Sequence, residues 1–586
     1  MIKYFFKYFL FFISIFVFVD CANVGAPSGG PKDTQAPVIL QSVPENESVN
    51  FSANKIKIDF DEYIKLKDLN KNLIISPPMN EEPVVKVKNK SLVIDIKDTL
   101  LKNTTYTFNF NDAIVDLNEG NAKSNFKFVF STGKVIDSLK MSGTILNAFD
   151  LKPVESIFVV LYKNTNDTMP LKQKPYYITK TDKTGKFEFT NISKTNYLIF
   201  ALDDKNNNFI FDLPAENIAF SDTLVYPDIK ITEKNDTIKT DSLHSDSVVV
   251  LKSEEYLPNN LKMFLFEEEH KKQFLVSNKR VSKEKINFIF NNTLKTAPEI
   301  KLLNNLSDNC FFTDTNSTND TLNIWITDSA IYNLDTLNIT LKHEQTDSTE
   351  KIIFKTDTLQ LTKPTYLKNG EQHFNNNLTK NKILLNIKDK GILDIYKSIK
   401  IMSAVPLKHK NINKICLYQQ KDTNFVKITP DISADSLNSK QINVKYKWDE
   451  STKYRLIIYD SCFADIYNNF NDSTTVNFTT TKFTDYGNLK INLDSVNNRT
   501  VILQLLDAKQ NLIKEYFSNV NNSFNFSYLK PGKYYLKIIF DKNNNKKWDT
   551  GNYRKKQQPE KVMFFDKEIN IRANWDVEET WKLKIN

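Results

Sequence analysis

The chain has 586 residues, 40% of them hydrophobic and 25% charged, a composition that excludes a disordered chain and suits several folded domains. Its 79 Lys and Arg residues are interleaved with 70 Asp and Glu residues, so the net charge of +9 forms no basic stripe and predicts no nucleic-acid partner. Only 12 glycines stand against 42 Phe and 24 Tyr residues, which argues against Gly-rich nucleotide loops and favours strands packed through aromatic side chains.

Residues 1–21 predict an export signal. Lys3 and Lys7 precede an apolar run that is too short for a comfortable membrane span and that ends at Cys21. The segment resembles a bacterial lipoprotein signal of the relaxed kind found in Bacteroidetes, which implies lipidation of Cys21. Because Ala22 rather than an acidic residue follows, the resemblance also implies an outer-membrane anchor, on the periplasmic or the cell-surface face. The alternative is ordinary secretion with a chance cysteine.

Alternation of apolar and polar residues dominates after a tether predicted at 22–36, which is rich in Gly and Pro. In residues 37–133 it predicts antiparallel strands such as "TYTFNFND" and "NFKFVFSTG". These strings resemble the bacterial immunoglobulin-like domain of surface-layer proteins. Residues 366–481 repeat the pattern, with Tyr454 in the place of Tyr106.

Residues 141–228 predict a second kind of unit. The string "TDKTGKFEFTNISKTNYLIFALDDKNNNFIFD" resembles the small β-sandwich of carboxypeptidase regulatory-like or transthyretin-like modules, and residues 482–586 repeat it with "FNFSYLKPGKYYLKIIFDKNNNKKWD". Residues 233–258 are polar and weakly patterned, which predicts a linker. Residues 261–364 return to alternation and predict a further sandwich of no recognised family.

The predicted fold class is all-β, with tandem antiparallel β-sandwich domains of immunoglobulin-like and small regulatory-like type. The second half of the chain is an expanded copy of the first. The domain order and the C-terminal strings "KWDTGNY" and "IRANWDVEETW" resemble a family of Bacteroidetes surface lipoproteins. That resemblance implies a non-enzymatic protein.

Two related strings of Asp and Asn, "DDKNNNFIFD" and "FDKNNNKKWD", form candidate calcium loops, because oxygen ligands at alternate loop positions converge on Ca²⁺. The residues at matching offsets are Asp204, Asn206, Asn208, Asp212, Asp541, Asn543, Asn545 and Asp549. Position six is Phe209 or Lys546 instead of Gly, and position twelve lacks a Glu. The alternative is a hairpin of Asx turns without an ion. Bound calcium would be weak, and no cofactor is required.

Other patterns of catalytic or metal chemistry are missing from the sequence. None of the five His residues forms HxH or HExxH, and no G-x-S-x-G or Walker motif occurs in the sequence. We therefore predict no catalytic residue. Beyond Cys21 there are three cysteines, Cys310, Cys416 and Cys462, whose odd number argues against a disulfide framework. Pairing of Cys416 with Cys462 remains open.

Two further sets of residues are candidate contact or modification sites. Trp575 and Trp581 lie six apart, which places both on one face of a strand as a platform for a glycan or a partner protein, or as a core seal. Asp-Thr or Asp-Ser followed by an apolar residue resembles the O-glycosylation sequon of exported Bacteroidetes proteins. Its most accessible sites are Thr237 and Ser242 in the linker.

The function predicted is that of a non-enzymatic outer-membrane or cell-surface lipoprotein. Its sandwich domains present strand edges and loops to envelope or surface proteins. The main alternative is a glycan-binding surface lipoprotein, and a carbohydrate-active enzyme is a distant one.

Overall fold

The computed structural model describes residues 32–238, 247–269, 272–303, 310–347, 351–364, 382–388, 391–435, 438–494, 496, 499–520 and 522–583. They form five β-sandwiches, numbered 1 to 5 in chain order, and the predicted all-β fold class is confirmed. Cys21 lies outside these residues. Within them, no helix is long and apolar enough to cross a membrane. The chain divides into two compact units, Met1–Glu267 with Tyr553–Lys556, and Glu268–Asn552 with Gln557–Asn586.

Sandwich 1 encloses an aromatic core between antiparallel sheets. Its elements are β1 (Ile39–Val43), β2 (Lys55–Phe60), β3 (Ile64–Leu66), α1 (Leu69–Asn72), β4 (Ile74–Ser76), β5 (Val84–Lys88), β6 (Ser91–Asp95), β7 (Thr105–Asn109), β8 (Ile114–Asp116) and β9 (Lys127–Ser131). The sheets have the orders β1-β2-β6-β5 and β4-β7-β9, and β3 pairs with β8. Ile56, Ile58 and Phe60 of β2 all point into the core, because alternate strand residues share a face.

Sandwich 2 contains one seven-stranded sheet and a separate hairpin. Its elements are β10 (Leu139–Asn147), β11 (Phe158–Tyr162), a 3₁₀ turn (Met169–Leu171), β12 (Tyr177–Lys180), β13 (Lys186–Ile192), β14 (Leu198–Leu202), β15 (Asn217–Phe220), β16 (Asp228–Ile238), β17 (Ser247–Leu257) and β18 (Leu261–Glu267). The sheet order is β12-β11-β14-β15-β18-β10-β13, and β16 pairs with β17.

Sandwich 3 packs a four-stranded sheet, β19-β20-β23-β22, with a three-stranded sheet, β21-β24-β25. Its elements are β19 (Leu275–Arg280), β20 (Lys285–Phe290), β21 (Glu299–Leu302), β22 (Phe311–Thr315), β23 (Thr321–Ile326), α2 (Ser329–Tyr332), β24 (Thr336–Thr346) and β25 (Ile352–Thr362).

Sandwich 4 has sheets of order β27-β29-β34-β33, β28-β38-β35-β31-β32 and β26-β37-β36-β30. Its elements are β26 (Lys382–Ile383), β27 (Leu385–Ile387), β28 (Gly391–Leu393), β29 (Ile399–Ser403), β30 (Leu407–Lys410), a 3₁₀ turn (Ile412–Lys414), β31 (Ile415–Lys421), β32 (Asn424–Ile428), β33 (Asp431–Ala434), β34 (Gln441–Lys445), β35 (Lys453–Ile458), β36 (Phe463–Asp465), β37 (Phe470–Asn471) and β38 (Thr474–Thr480).

Sandwich 5 follows a 3₁₀ turn (Phe483–Asp485) and has sheets of order β42-β39-β46 and β41-β40-β43-β44, with β45 also paired to β43. Its strands are β39 (Gly487–Asp494), β40 (Val501–Asp507), β41 (Leu512–Ser518), β42 (Ser523–Leu529), β43 (Gly532–Phe540), β44 (Val562–Phe564), β45 (Ile569–Ile571) and β46 (Asp576–Lys582).

Sandwiches 1 and 4 share one detailed construction around a buried tyrosine. The Tyr106 hydroxyl accepts the N–H of Leu101 at 2.9 Å, and the Tyr454 hydroxyl accepts the N–H of Asp449 at 2.9 Å, each five residues upstream. Tyr106 lies opposite Phe130 on the neighbouring strand, and the corresponding pair in sandwich 4 is stacked in the same way. The matching contacts agree with the predicted correspondence of Tyr454 to Tyr106.

Sandwiches 2 and 5 share a topology that includes a parallel strand pair. β10 pairs antiparallel with β13 and parallel with β18, and β39 pairs antiparallel with β42 and parallel with β46. The neighbouring strands β12-β11-β14-β15 in sandwich 2 and the sheet β41-β40-β43-β44 in sandwich 5 also correspond strand by strand. In each small sandwich the last strand therefore pairs in parallel with the first.

The end predicted for the unit at 141–228 differs from the structure. β18 lies in the stretch that was predicted to begin the next sandwich at 261, yet it pairs with β10 and β15 and places Met263 and Leu265 in the core of sandwich 2. Only pairing across more than 100 residues of sequence distinguishes the two assignments, and alternation within the strand does not report it.

The linker predicted at 233–258 is also wrong for its described part. β16 and β17 pair over eleven residues each, from Asp228 opposite Leu257 to Ile238 opposite Ser247. The described side chains at the base of the hairpin are exposed or half-buried on both faces. A strand without a core face shows no alternation in its sequence, so the pattern resembles that of a loop.

Two junctions between neighbouring sandwiches are held by polar contacts. Between sandwiches 1 and 2, the Thr104 and Tyr176 hydroxyls are hydrogen-bonded at 3.0 Å, and Ile178 N–H donates to Ser76 Oγ at 3.0 Å. These hydrogen bonds link sandwich 1 directly to sandwich 2.

The junction between sandwiches 4 and 5 centres on Asp394, which is buried. Its Oδ1 accepts the Tyr486 hydroxyl at 2.6 Å and lies 3.1 Å from Lys530 Nζ, while Oδ2 lies 2.9 Å from Lys397 Nζ. Burial raises the pKa of this carboxyl, but the hydrogen bonds from Tyr486, Lys397 and Lys530 outweigh burial and lower the pKa to about 2.

Candidate functional site

The two Asp- and Asn-rich loops occupy equivalent places in sandwiches 2 and 5. The first joins β14 to β15, and the second joins β43 to β44. Each loop therefore connects two neighbouring antiparallel strands of one sheet. The structure brings together the four residues predicted at matching offsets within each loop.

In the first loop, Asp204 and Asp212 organise the turn from its two ends. Asp204 accepts the N–H groups of Asn206 and Asn208 through Oδ1 and that of Phe209 through Oδ2, at 3.2, 3.3 and 2.7 Å. Asp212 accepts both asparagine side chains, from Asn206 Nδ2 at 3.1 Å and Asn208 Nδ2 at 2.8 Å. Two carboxylates and two amides thus converge across the loop.

The second loop repeats this geometry. Asp541 accepts the N–H groups of Asn545 at 3.2 Å and Lys546 at 2.8 Å. Asp549 Oδ2 accepts Asn543 Nδ2 at 2.5 Å and Asn545 Nδ2 at 2.8 Å. Four of the five bonds of the first loop recur between equivalent residues, so the match of the two strings is a match of conformation.

The missing glycine at position six does not prevent the tight turn. Phe209 has φ 61° and Lys546 has φ 64°, and the residues two positions earlier, Asn207 and Asn544, have φ 58° and 61°. Asparagine tolerates this left-handed region, whereas Phe and Lys are strained in it. The surrounding hydrogen bonds hold the backbone of both residues in a conformation that glycine would adopt more readily.

A buried glutamate in each loop was not predicted from the sequence. Glu216 accepts Lys205 N–H at 3.2 Å through Oε1 and Asp212 N–H at 3.0 Å through Oε2. Glu560 accepts Lys542 N–H at 2.7 Å and Asp549 N–H at 3.1 Å. Glu216 follows its loop closely, but Glu560 comes after an insertion, so no common spacing identifies the pair. The signal available was an acidic residue one or two positions before the returning strand.

Burial raises the pKa of Glu560, and the nearby carboxylates Asp549 and Asp541 add to the rise, against the opposing hydrogen bonds from the backbone. A cation would relieve this repulsion. In the described residues, however, no group of three or more His, Cys, Asp or Glu side chains has the geometry of a metal site. Calcium binding at these loops stays a prediction.

The two tryptophans do not form a shared platform. Trp581 is buried in the core of sandwich 5, with its ring centroid 5.3 Å from that of Phe565. Trp575 precedes β46 and is 54% exposed, with the Arg572 guanidinium 4.9 Å from its ring centroid. Even spacing predicts a common face only within one strand, and β46 begins after Trp575. The prediction that Trp581 contacts a glycan or a partner protein is therefore wrong, because its ring is buried. The predicted contact of Trp575 stays a prediction.

Cys416 and Cys462 are not joined by a disulfide. Both carry free thiols in buried positions, and Cys462 Sγ donates to Asn411 O at 3.3 Å. Burial raises the pKa of the Cys462 thiol to about 11, which keeps it protonated and unreactive.

The predicted modification sites fall at the edge of the described residues. Thr237 lies in β16, where its backbone is opposite Val248. Ser242 lies outside the described residues, as does Cys21. Lipidation and O-glycosylation therefore stay predictions.

Comparisons with known proteins agree with the architecture of sandwich 1. Residues 33–132 match the family model of a bacterial Ig-like domain. Sandwich 1 is therefore an Ig-like domain of the bacterial type. The buried tyrosine, with its hydroxyl bonded to the upstream backbone, is a feature of Ig folds, and sandwich 4 repeats it. No curated protein matches the chain.

Solved structures align with much of the chain at low similarity. The major pilin subunit of Bacillus cereus aligns at 9% identity with a TM-score of 0.14, covering 76% of this chain and 99% of that chain. Domains 1–6 of the surface layer protein SbsC align at 11% identity with a TM-score of 0.13, covering 92% of this chain and 67% of that chain. These TM-scores are too low to support any conclusion about function.

Proposed function

We propose that the chain is a non-enzymatic surface lipoprotein of the Bacteroidetes type. A lipid on Cys21 anchors it to the outer membrane, and its sandwiches present loops and strand edges to envelope or surface proteins. The observation that carries this proposal is the pair of polar junctions, because contacts such as that of Tyr486 with Asp394 link neighbouring sandwiches within each unit. Sandwiches linked in this way suit a scaffold that presents binding edges to a partner.

An open strand edge supports a protein as the partner. β25 is the outer strand of its sheet, and Ile352, Ile353 and Phe354 are 46%, 45% and 57% exposed. Edge strands with exposed apolar side chains accept an additional strand from a partner. The two loops around Asp204 and Asp541 would bind calcium weakly and stiffen the sheets from which they project.

Anchoring is tested by expressing the full chain with its signal in a Bacteroidetes host. The mature N-terminal peptide is expected to begin at Cys21 and to carry the mass of a lipid, and the protein to sediment with membranes. Cys21→Ser should release the protein into the soluble fraction. A mature chain that starts elsewhere without lipid would refute the anchor. Protease treatment of intact cells distinguishes the two faces of the membrane.

Partner binding is tested by crosslinking in intact cells, followed by purification in mild detergent. The proposal expects defined envelope proteins that are lost when Ile353→Lys and Phe354→Lys are introduced together. Lys355→Ala, on the same strand, is the control. Retention of the partners in the double variant would show that this edge is not the contact.

A glycan-binding lipoprotein is the second candidate, supported by the exposed ring of Trp575 beside Arg572. Aromatic rings with one free face stack on sugars, so Trp575→Ala should weaken retention on a polysaccharide column. Trp581→Ala cannot serve this test, because its ring is in the core. A carbohydrate-active enzyme is a distant third. Mass spectrometry of the native protein tests O-glycans at Thr237 and Ser242.

A further inference from the structure

Three exposed aromatic side chains meet where sandwich 4 joins sandwich 5, and we call them the aromatic cluster. Tyr396 belongs to sandwich 4, Phe483 to the 3₁₀ turn between the sandwiches, and Tyr528 to β42 of sandwich 5. The Tyr528 ring centroid lies 5.4 Å from that of Tyr396 and 6.3 Å from that of Phe483. In chain order the three residues are 47%, 50% and 40% exposed, although they contact one another. Contiguous exposed apolar side chains indicate a binding surface, whereas single ones do not.

The cluster is supported from the core side by Tyr486, which is buried. The Tyr486 ring contacts those of Tyr396 and Tyr528 edge to face, with centroids 5.6 and 6.0 Å apart. Its hydroxyl donates to Asp394 at 2.6 Å, in the junction described above. The junction therefore holds the rings in place before a ligand arrives, which lowers the entropy lost on binding.

Tyr528 reaches the cluster through a β-bulge. Opposite Asn488 of β39 stand two residues of β42, Ser527 and Tyr528, where regular pairing has one. Alternation along β42 buries Phe524 and Phe526 and would bury Tyr528 as well. The bulge instead directs the Tyr528 ring outward, as bulges do where a side chain has to leave the regular pattern.

The equivalent bulge in sandwich 2 shows that this turn does not require an aromatic residue. There, Thr190 and Asn191 of β13 stand opposite Lys140 of β10, and Asn191 has φ 59°. Tyr528 has φ 60°, and a bulky residue is strained in this left-handed region, whereas Asn tolerates it. Sandwich 5 thus carries a strained residue where its counterpart carries an unstrained one. Strain of this kind concentrates at sites that bind a ligand.

The charges at the junction favour an uncharged ligand. The ammonium groups of Lys397 and Lys530 both contact the carboxylate of Asp394, at 2.9 and 3.1 Å. Glu450 accepts the N–H of Phe483 at 3.1 Å. Two positive and two negative groups therefore balance beside the cluster, and they produce no field that would attract a polyanion or a polycation.

The tyrosine hydroxyls of the cluster are available to a ligand. Those of Tyr396 and Tyr528 make no hydrogen bond within the part of the chain that the structure describes, and each can donate and accept. A sugar unit carries C–H groups on its ring face, which pack on aromatic rings, and hydroxyls at its edge, which need both donors and acceptors. The cluster offers both kinds of contact.

We propose that the aromatic cluster binds a neutral polysaccharide. The rings of Tyr396, Phe483 and Tyr528 pack on the faces of its sugar units, and the two tyrosine hydroxyls bond the hydroxyls of the sugar chain. This inference rests on the glycan-binding candidate above and assigns to it a site at the junction that does not depend on Trp575.

Trp575 lies close enough to extend this site. Its carbonyl accepts the N–H of Asn488 at 2.9 Å, and Asn488 Oδ1 accepts the N–H of Tyr528 at 3.3 Å. The backbones of Trp575 and Tyr528 therefore flank β39 on its two sides, about two strand spacings or 10 Å apart. A sugar chain of a few units can contact both.

The test measures the binding of cellohexaose and mannohexaose, two uncharged oligosaccharides, to residues 22–586 by isothermal titration calorimetry. Tyr528→Asn should weaken binding about tenfold without lowering the melting temperature, because Asn suits φ 60°. Tyr396→Ala should weaken binding to a similar extent. Tyr63→Asn, which removes an exposed tyrosine of sandwich 1, is the matched control and should leave binding unchanged.

Three outcomes would overturn the proposal: no binding of either oligosaccharide, unchanged binding by both Tyr528→Asn and Tyr396→Ala, or tighter binding of hexaproline than of either sugar, which would indicate a proline-rich peptide. If Trp575→Ala alone weakens binding, the glycan contact is at Trp575, and the second candidate stands without this site. Because the chain used lacks Cys21, none of these results bears on the lipid anchor.

Discussion

Tyr106 and Tyr454 show how a single side chain can hold the turn that closes an Ig-like sandwich. Each hydroxyl is buried and accepts one backbone N–H, from Leu101 or Asp449. Burial raises the pKa of both tyrosines, that of Tyr454 to about 12, so each hydroxyl is neutral at pH 7. Each hydroxyl stabilises the fold because it accepts a hydrogen bond from a backbone N–H that would otherwise be buried without a partner.

Tyr454→Phe should therefore destabilise sandwich 4 by about 1–3 kcal/mol, the cost of leaving a buried N–H unsatisfied. Hydrogen exchange of peptides from β35 and β38, measured across a urea series, reports this domain directly. Tyr467→Phe is the matched control, because its buried hydroxyl has no hydrogen-bond partner in the described residues and its removal should cost nothing. Equal effects of the two substitutions would contradict the assignment.

The lowered pKa of Asp394 predicts that the stability of the junction between sandwiches 4 and 5 depends on pH. Its folded pKa of about 2 lies below its ordinary value of 3.8, so the ionised carboxylate stabilises the folded protein above that value. This contribution is lost as the pH falls from about 4 towards 2. Asp394→Asn should lower the urea midpoint at pH 7, and the difference from the natural chain should shrink at pH 2–3. Asp422→Asn, at an exposed turn, should lower the midpoint at neither pH.

At the scale of elements, the two Asp- and Asn-rich loops adopt the same conformation although their sequences differ. The left-handed residues and the bonds from both Asn side chains to the second Asp are the same in both copies, although Phe209 stands where the other copy has Lys546. The closing glutamate is also kept, although an insertion has moved it along the chain. The loop geometry is therefore what the two copies have in common.

Calcium should raise the melting temperature of the full chain without its signal, with a Kd of roughly 10⁻⁴–10⁻³ M, because a cation would relieve the repulsion around Glu560. Differential scanning fluorimetry between 0 and about 10 mM CaCl₂ measures the shift. Asp212→Asn with Asp549→Asn should abolish it, whereas MgCl₂ should give a smaller one. Without any shift in millimolar calcium, the loops are Asx turns alone.

At the scale of the whole molecule, two pairs of sandwiches share their architecture, and a hairpin distinguishes the first small sandwich from the second. β16 and β17 are inserted between β15 and β18, while the equivalent β44 and β46 are separated by β45 and turns. Because of this insertion, the last strand of sandwich 2 is far in sequence from the other strands of its sheet, and the sequence pattern assigned it to the next sandwich. The insertion also makes the first copy longer than predicted.

Fragments with different ends test this boundary. Residues 32–267 keep β18 and should melt cooperatively, whereas residues 32–228 lose Met263 and Leu265 from the core, at about 1.5–3 kcal/mol each, and expose the edge of β10. Circular dichroism and size-exclusion chromatography compare the two. As a control, a fragment 32–267 in which a Gly-Ser link replaces residues 230–255 should retain the melting of the longer fragment. Equal melting of residues 32–228 would refute the boundary.

The sequence by itself determined the strands with one buried face, the paired order of large and small sandwiches, and the matching loops. These features follow from alternation and turn chemistry, which act over a few residues. Only the tertiary structure decided the parallel pairing of β18, the burial of Trp581 and the convergence of Glu560 on its loop. Each depends on residues that are distant in sequence and meet through packing, and a local pattern carries no record of which distant strand or loop its side chains will contact.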